Sequence, residues 1–206
     1  MFDVQGFILV GGASSRMGAD KSQLRFGRQT AVQRITEALR SATTQVFLVG
    51  SPPGPANHDL EIVRDVHERW GALGGIHAAL SVCQAEWAAI VACDLPFVTG
   101  ELFLRLLVFA EPTQQKALDA IAPVQRDGRP QPLCALYRRE SCLRAAERLI
   151  AGGEHTPRAL LATVQTRRVE FAELADLPGA EHLFFNANTP EDYDRAKQLL
   201  ATGTLR

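Results

Sequence analysis

The chain has 206 residues, of which 46% are hydrophobic and 22% are charged, and its formal net charge is −1 at pH 7. This length and balance are typical of one soluble α/β domain and are short for two. The near-neutral charge excludes a general nucleic-acid binder, which needs a basic surface to neutralise phosphates.

The termini, apolar runs and cysteines predict a cytoplasmic protein without membrane contact. Residues 1–3 carry no basic side chain, so we expect no signal peptide. The apolar run at residues 7–10 is far too short to span a bilayer, as is every other apolar run. The cysteines form no C-x-x-C pair, which predicts buried, reduced thiols at Cys83, Cys93, Cys134 and Cys142.

The first half of the chain alternates predicted strands with predicted helices. Short apolar runs predict buried strands at residues 6–10, 46–49, 62–63 and 87–92. Helical spacing appears at residues 31–42, 76–83 and, after Thr99 as N-cap, up to 109. This alternation predicts an α/β fold with a mostly parallel sheet and right-handed crossovers.

The second half has a different pattern. Residues 120–124 and 133–137 flank the turn Arg126-Asp127-Gly128-Arg129 and predict a hairpin. A helix at 140–150, a strand at 166–171 and a last helix after Thr189-Pro190 follow. Because no linker is visible, we expect one domain over residues 1–206, with a nucleotide-binding half to about residue 110 and an acceptor-binding half after it.

A glycine-rich loop follows the first predicted strand. It begins with two adjacent glycines and also carries two serines and two cations: Gly11, Gly12, Ser14, Ser15, Arg16 and Lys21. Glycines let the backbone approach a ligand closely, and consecutive N–H groups bind anions. Asp20 stands where a Walker loop requires glycine, and adjacent Gly11 and Gly12 exclude the dinucleotide fingerprint. The pattern therefore predicts a phosphate-binding loop of another kind.

Two aspartates follow predicted strands. Asp94 ends the strand at 87–92, and the carboxyl ends of strands bind ligands in open α/β sheets. A carboxylate there suits Mg²⁺, which shares its ligands with phosphates, although a turn or cap role fits equally well. Asp65 repeats this arrangement, but Arg64 and His67 offer it ordinary surface partners.

Two further segments carry alternatives. Residues 71–75 are predicted to form a second glycine-bearing loop before a helix, which suits either phosphate binding or close packing on the sheet. Asn186 and Asn188 point the same way if residues 183–188 are extended. Paired amides suit a heterocycle, whereas an ordinary polar helix start explains them without a ligand.

Three motifs resemble those of the molybdenum cofactor guanylyltransferases, within the wider group of nucleoside-triphosphate transferases. The first loop reads L-V-G-G-A-S-S-R-M-G-A-D-K, where that family usually has L-A-G-G-x-S-x-R-M-G-x-D-K. Cys93-Asp94-Leu95-Pro96-Phe97 and Asn186-Ala187-Asn188-Thr189-Pro190-Glu191-Asp192 are similar to its C-D-x-P-[FY] and N-x-N-T-P-E-[DE] segments. The resemblance runs nearly from end to end.

The resemblance implies a three-layer Rossmann-like fold of the nucleotide-diphospho-sugar transferase type. It implies transfer of GMP from GTP to a molybdopterin-type acceptor, with Lys21, Asp94 and Arg16 as catalytic residues and Asp94 as the Mg²⁺ ligand. The implied GTP-binding residues are Leu9, Val10, Gly11, Gly12, Lys21, Asp65 and Asp94. The implied acceptor-binding residues are Arg16, Gly71, Gly75, Asn186 and Asn188.

Departures from the family pattern leave alternatives for the substrate. Residues 71–75 read G-A-L-G-G where relatives often have G-P-L-A-G, and Val49-Gly50-Ser51 stand where relatives often have Asn near the base. The alternatives are a transferase that uses CTP or a sugar phosphate, and a non-catalytic carrier. A carrier does not need both Lys21 and Asp94. Transient contact with cofactor-biosynthesis proteins or apo-molybdoenzymes is also expected.

Overall fold

A computed structural model describes residues 3–11, 24–50, 59–64, 70–111 and 117–201. Strands within these ranges are β1 Val4–Leu9, β2 Arg25–Phe26, β3 Gln29–Thr30, β4 Gln45–Val49, β5 Glu61–Val63, β6 Trp87–Ala92, β7 Ala120–Pro123, β8 Cys134–Arg138 and β9 Thr166–Val169. The α-helices are α1 Ala31–Arg40, α2 Gly71–Val82, α3 Gly100–Val108, α4 Arg139–Ala151, α5 Pro157–Thr163 and α6 Pro190–Ala201. Among these helices, none has the length and apolar character needed to cross a membrane.

Seven strands form one sheet in the order β5-β4-β1-β6-β8-β7-β9. Every neighbouring pair is parallel except the two pairs that contain β8. In register, Leu9 of β1 lies opposite Val49 of β4 and Ala92 of β6. The predicted α/β fold with a mostly parallel sheet is thus confirmed, and these three strands end together at what we call the carboxyl edge.

Helices cover both faces of the sheet and make the three-layer arrangement. One buried cluster joins α1 and α3 to the face that carries Ile8, Leu48 and Trp87. A second cluster joins α2, α4 and α5 to the face that carries Phe7 and Tyr137. Because the central strands are covered on both faces, they consist of apolar residues without alternation, which is why the sequence predicted them.

A third, smaller cluster lies at the carboxyl edge. Phe26 of β2 packs against Phe97, which follows β6, with ring centroids 6.0 Å apart. The Phe26 ring also packs against Tyr193 of α6, with ring centroids 5.4 Å apart. The Tyr193 hydroxyl donates to the carbonyl of Arg25 at 2.8 Å. Ala187 and Ala196 complete the buried part of this cluster. Three segments far apart in the sequence are therefore joined at one edge.

Residues 71–75 are not the loop that the sequence analysis predicts. They form the first part of α2, which begins at Gly71 rather than near residue 76. Glycine disfavours helices, so three glycines in five residues are typical of a loop. A Cβ added to Gly75 would lie 3.4 Å from Leu9 Cδ1, so the missing side chain lets α2 pack closely on the end of β1.

Residues 183–188 are not extended throughout either. A 3₁₀ turn at Ala180–His182 is followed by a further turn at Leu183 and Phe184, so only residues 185–188 lack turn geometry. Likewise, β9 ends at Val169, and Phe171–Glu173 form a 3₁₀ turn instead of prolonging the strand. In both places short turns replace predicted extended chain.

Predicted helix starts and the hairpin are confirmed. Thr99 caps α3 by accepting from the Leu102 amide at 3.3 Å. Thr189 Oγ1 accepts from the Asp192 amide at 3.1 Å, while the Asp192 carboxylate accepts from the Thr189 amide at 2.9 Å. This reciprocal pair satisfies amides that the helix cannot satisfy itself. Strands β7 and β8 pair antiparallel, as predicted.

All four cysteines are buried and form no disulfide with one another, as the sequence analysis predicts. Burial raises the pKa of Cys83 to about 11 and that of Cys142 to about 12, because the charged thiolate loses its hydration. Burial also raises the pKa of Cys134. The thiols of Cys83, Cys134 and Cys142 are therefore protonated in the folded protein near neutral pH.

These raised pKa values predict alkaline destabilisation. Above the ordinary thiol pKa of 9.0 the unfolded chain loses protons that folded Cys83 keeps until about pH 11. The free energy of unfolding should fall by about 1.4 kcal/mol per pH unit for each such thiol. Cys83→Ala should reduce this slope between pH 9 and 10 in urea titrations. Val82→Ala, which keeps the thiol, should not, and equal slopes in both variants would contradict the prediction.

Candidate functional site

The ends of β1 and β6 bring two predicted site segments together. The Val10 amide donates to the Val49 carbonyl at 2.8 Å, and the Cys93 amide donates to the Leu9 carbonyl at 3.0 Å. Gly11 and Asp94 therefore leave neighbouring parallel strands at the same level. Gly11 is exposed with φ +119°, a backbone angle that favours glycine. The carboxyl edge thus carries the start of the glycine-rich loop beside a carboxylate.

Gly50 makes an unusually close contact with β1. Its amide donates to the Val63 carbonyl at 2.9 Å, and its φ is +119°. A Cβ added at this position would lie 1.9 Å from the carbonyl oxygen of Val10. Glycine is therefore required sterically as well as conformationally, and the end of β4 fixes the backbone just before Gly11.

Asp94 is half-buried, and the segment that follows it is held from α1. Leu95, Pro96 and Phe97 are buried, and Arg34 Nε donates to the Pro96 carbonyl at 3.0 Å. Its guanidinium also lies 5.9 Å from the centroid of the Phe97 ring. Burial lowers the pKa of Arg34, and Glu37 opposes that shift. The sequence analysis missed Arg34, because one arginine in an amphipathic helix gives no signal of such a contact.

Asn186 and Asn188 lie beside Asp94. The amide of Ala187, between them, donates to the Asp94 carbonyl at 2.9 Å. Ala187 is buried, whereas both asparagines are half-buried, and the Asp192 carboxylate accepts from the Asn188 amide at 3.1 Å. Although residues 183 and 184 form a turn, the asparagines lie near Asp94, as the sequence analysis expects.

The start of α2 also reaches the carboxyl edge. Gly71 is exposed at the first position of the helix, and Gly75 is buried one turn later against Leu9. The first amides of a helix have no intrahelical acceptor and attract anions. Gly71 is thus placed for a ligand contact, whereas Gly75 mainly lets the helix approach β1.

Four predicted site residues lie outside the described residues, namely Gly12, Arg16, Lys21 and Asp65. The strands that precede them, β1 and β5, both end at the carboxyl edge, since the Gly50 amide bonds to Val63 at the end of β5. The structure brings together the remaining predicted residues: Leu9, Val10, Gly11, Gly71, Gly75, Asp94, Asn186 and Asn188.

Arg129 and Arg138 of the acceptor half form ion pairs within the protein, and Arg138 lies far from this edge. Arg138 lies opposite Trp87 at the start of β6, which is the other end of the sheet, and it pairs with Glu86. Arg129 pairs with Asp127. By contrast, Phe184 and Phe185, directly before Asn186, help to line an open cavity of about 350 Å³ together with Arg126 and Arg195. Cationic and aromatic walls therefore adjoin the asparagine segment.

The comparisons with known proteins agree with this geometry. The family described as MobA-like NTP transferase domain matches residues 6–169. A probable molybdenum cofactor guanylyltransferase of Pelotomaculum thermopropionicum is 33% identical over 201 residues, covering 96% of this chain and 93% of that protein. The molybdenum cofactor guanylyltransferase of Desulfosudis oleivorans is 28% identical over 205 residues. The alignment covers 98% of this chain and 98% of that protein.

A solved structure is similar over nearly the whole chain. It is that of molybdopterin-guanine dinucleotide biosynthesis protein A from Archaeoglobus fulgidus, with a TM-score of 0.78 and 26% sequence identity. The alignment covers 96% of this chain and 99% of that one. The likeness therefore includes both halves of the fold and not only the nucleotide-binding strands.

The contact between Gly50 and Val10 generates a prediction. Gly50→Ala should lower the free energy of unfolding by roughly 3 kcal/mol or more, because backbone atoms must move in addition to the φ strain. It should also weaken binding of GTP, since Val10 and Gly11 are displaced. Gly153→Ala is the matched control: its φ is +81° and its added Cβ meets no atom within 4 Å. That variant should lose only roughly 1–2 kcal/mol. Equal losses of stability in urea titrations would contradict the prediction.

Proposed function

The chain belongs to the MobA-like NTP transferase family, and we propose that it transfers GMP from GTP to the terminal phosphate of a molybdopterin-type acceptor, releasing pyrophosphate. The observation that carries this proposal is the meeting of Gly11, Asp94 and the Asn186–Asn188 segment at one edge of the sheet. The names of the similar proteins, molybdenum cofactor guanylyltransferases, support the choice of substrates.

The reaction is an in-line displacement at phosphorus. An oxygen of the acceptor's phosphate forms a bond to the α-phosphorus of GTP, and the bond from that phosphorus to the bridging oxygen of pyrophosphate breaks. Because no covalent enzyme intermediate is needed, positioning and charge neutralisation supply the catalysis. Loop amides after Gly11, together with Lys21 and Arg16, would neutralise the negative charge that develops on the phosphates.

Asp94 fits the role of a magnesium ligand. Its half-buried position beside the exit of β1 offers one hard carboxylate at the place where a triphosphate would lie. Mg²⁺ commonly takes one or two protein carboxylates and fills its shell with phosphate oxygens and water. When bound, the ion neutralises phosphate charge and polarises the phosphoryl group. Asp65 would belong to the GTP-binding set.

The asparagine segment and the start of α2 would hold the acceptor. Asn186 and Asn188 flank the buried Ala187, whose amide is held by the Asp94 carbonyl, so their side chains are carried on a fixed segment. Carboxamides offer both donors and acceptors to a heterocycle. Gly71, at the start of α2, would add backbone amides near the acceptor's phosphate.

The proposal has two further parts. The protein would make transient contact with cofactor-biosynthesis proteins or apo-molybdoenzymes, and it would be located in the cytoplasm.

Pyrophosphate release separates the alternatives. The wild-type protein should release pyrophosphate with GTP and molybdopterin, and less with ATP, CTP or UTP. Preference for CTP, or release with a sugar phosphate in place of molybdopterin, would favour a related transferase. Tight GTP binding without release under any acceptor would identify a carrier and would reject the proposed reaction.

Two substitutions test the catalytic residues. Asp94→Ala and Lys21→Ala should each lower kcat by about 10²-fold or more, because each removes charge that stabilises the transition state. Asp176→Ala and Lys197→Ala are matched controls, since these side chains pair with Arg105 and Asp194. The controls should retain wild-type rates. Thermal unfolding should show that all four variants fold, and full activity of either test variant would contradict its assignment.

A further inference from the structure

The open cavity of about 350 Å³ lies where β7 and β9 end. Strand β8 runs antiparallel to both β6 and β7, and β9 is parallel to β7, so β7 and β9 end at the carboxyl edge as β6 does. The Val124 amide donates to the Val169 carbonyl at 2.8 Å, which brings the two ends together. Arg126 after β7 and Phe171 after β9 line the cavity. Because ligands of open α/β sheets bind at such ends, the cavity is placed as a binding site.

Phe185 joins this cavity to the candidate site. It lines the cavity, and its ring also packs against Phe97, with ring centroids 5.7 Å apart. Ala187 follows Phe185 by two residues, and its amide donates to the Asp94 carbonyl at 2.9 Å. Since two residues of chain span at most about 7 Å, the backbone of Phe185 lies within about 10 Å of that carbonyl. One small molecule can therefore extend from the cavity to the site.

Aromatic rings form much of the wall of this cavity. Phe171, Phe184 and Phe185 line it, and all three are half-buried, so part of each side chain stays open. The Arg126 guanidinium lies 5.1 Å from the centroid of the Phe171 ring, and that of Arg195 lies 5.8 Å from the centroid of the Phe185 ring. These contacts hold two of the rings from outside. Planar heterocycles pack well on such surfaces.

Glu181 places a carboxylate in the same lining. Its Oε1 lies 3.1 Å from a guanidinium nitrogen of Arg126, and both side chains are exposed, so a ligand can reach them. A carboxylate has about four lone-pair sites, and Glu181 keeps acceptor capacity beyond this ion pair. Asp127 also lines the cavity, but it accepts from the Arg129 amide at 3.1 Å and from the Arg129 guanidinium at 2.6 Å. Glu181 is therefore better placed than Asp127 to accept from a ligand.

The two ends of the acceptor determine how it would lie. Its phosphate must reach the α-phosphorus of GTP, which the proposed function places beside Gly11 and Asp94. The other end is a pterin ring, which is planar and carries a 2-amino group next to a ring N–H. These adjacent donors match the two oxygens of one carboxylate, and the faces of the ring match phenylalanine side chains. The cavity beside Phe185 offers both kinds of contact.

We propose that this cavity binds the pterin ring of the acceptor. The ring packs against Phe171 and Phe184, and its 2-amino group and ring N–H donate to the Glu181 carboxylate. A volume of about 350 Å³ is at the small end of the range for small-molecule sites and suits one ring system better than a whole dinucleotide. This inference rests on the proposed function and assigns the residues that would distinguish a pterin acceptor from a sugar phosphate.

Glu181→Gln tests the hydrogen bonds to the ring. The carboxamide keeps the shape of the side chain but offers one acceptor oxygen instead of two. The Kd of molybdopterin, measured by equilibrium dialysis without GTP, should therefore rise by about 10-fold. The KM for GTP should change by less than about two-fold, because the nucleotide binds at the end of β1. Glu140→Gln is the matched control, since it removes another exposed ion pair, with Arg144 at 2.7 Å, and it should leave both constants unchanged.

Phe184→Leu tests the packing of the ring. Leucine keeps an apolar side chain but removes the flat surface, so the Kd of molybdopterin should rise by roughly five-fold or more. Phe109→Leu is the matched control, because Phe109 is also partly buried against the same cluster as Phe184 and does not line the cavity. It should bind molybdopterin as the wild-type protein does. Thermal unfolding should show that all four variants fold.

Pterin and lumazine test the recognition of the amino group. Lumazine carries an oxygen where pterin carries the 2-amino group, so it cannot offer Glu181 two adjacent donors. Pterin should inhibit pyrophosphate release by the wild-type protein in competition with molybdopterin, and at lower concentrations than lumazine does. In Glu181→Gln the two compounds should inhibit alike. Equal potency in the wild-type protein, or no inhibition by either compound, would overturn the assignment of Glu181.

The outcomes separate this inference from the proposed function. If the wild-type protein releases pyrophosphate from GTP and molybdopterin but Glu181→Gln and Phe184→Leu keep the wild-type Kd, the inference fails and the function stands. An equal rise in the Kd of molybdopterin and the KM for GTP, or an equal loss in the two controls, also rejects it. If the wild-type protein releases no pyrophosphate with any acceptor, the proposed function fails, whereas the dialysis still decides whether the cavity binds the ring.

Discussion

The parallel pairing of β1 with β6 is the constraint on which the candidate site depends. Leu9 lies opposite Ala92, so the glycine-rich loop and Asp94 begin at the same level on adjacent strands. Gly50 holds the end of β1 from the other side through its contact with Val10. Had the register slipped by one residue, every side chain of β1 would have changed face, and the buried cluster around Ile8 would be lost. The core therefore fixes the relative position of the two chemical groups.

The second constraint is the link between the C-terminal segment and Asp94. The Ala187 amide donates to the Asp94 carbonyl. Ala187 also belongs to the buried cluster in which the rings of Phe26, Phe97 and Tyr193 pack together. The backbone of the asparagine segment is thus held by apolar packing and by a backbone hydrogen bond. Arg34 contributes from α1 by holding Pro96. The candidate site is therefore positioned by contacts among residues that lie outside it.

Sequence patterns predicted the elements that depend on local chemistry. The strands β1, β4 and β6 are apolar runs bounded by glycine or aspartate, and Thr99 and Thr189 marked two helix starts. The start of α2 at Gly71 was not predictable, because glycine disfavours helices and the packing of Gly75 on Leu9 is visible only in the structure. Arg34 was missed for a related reason: its contacts are with Pro96 and Phe97, which are distant in sequence. The roles of Lys21, Arg16, Gly12 and Asp65 stay predictions, since these residues lie outside the described ranges.

The reversed direction of β8 has an evolutionary consequence. A strand that enters the sheet from the carboxyl edge brings the β7–β8 hairpin to the same place as the exits of β1 and β6. Insertions or substitutions in that hairpin leave the register of the parallel strands untouched, since the change is confined to a connection between β7 and β8. The hairpin can therefore vary in length and sequence while Gly11 and Asp94 keep their relative position at the carboxyl edge.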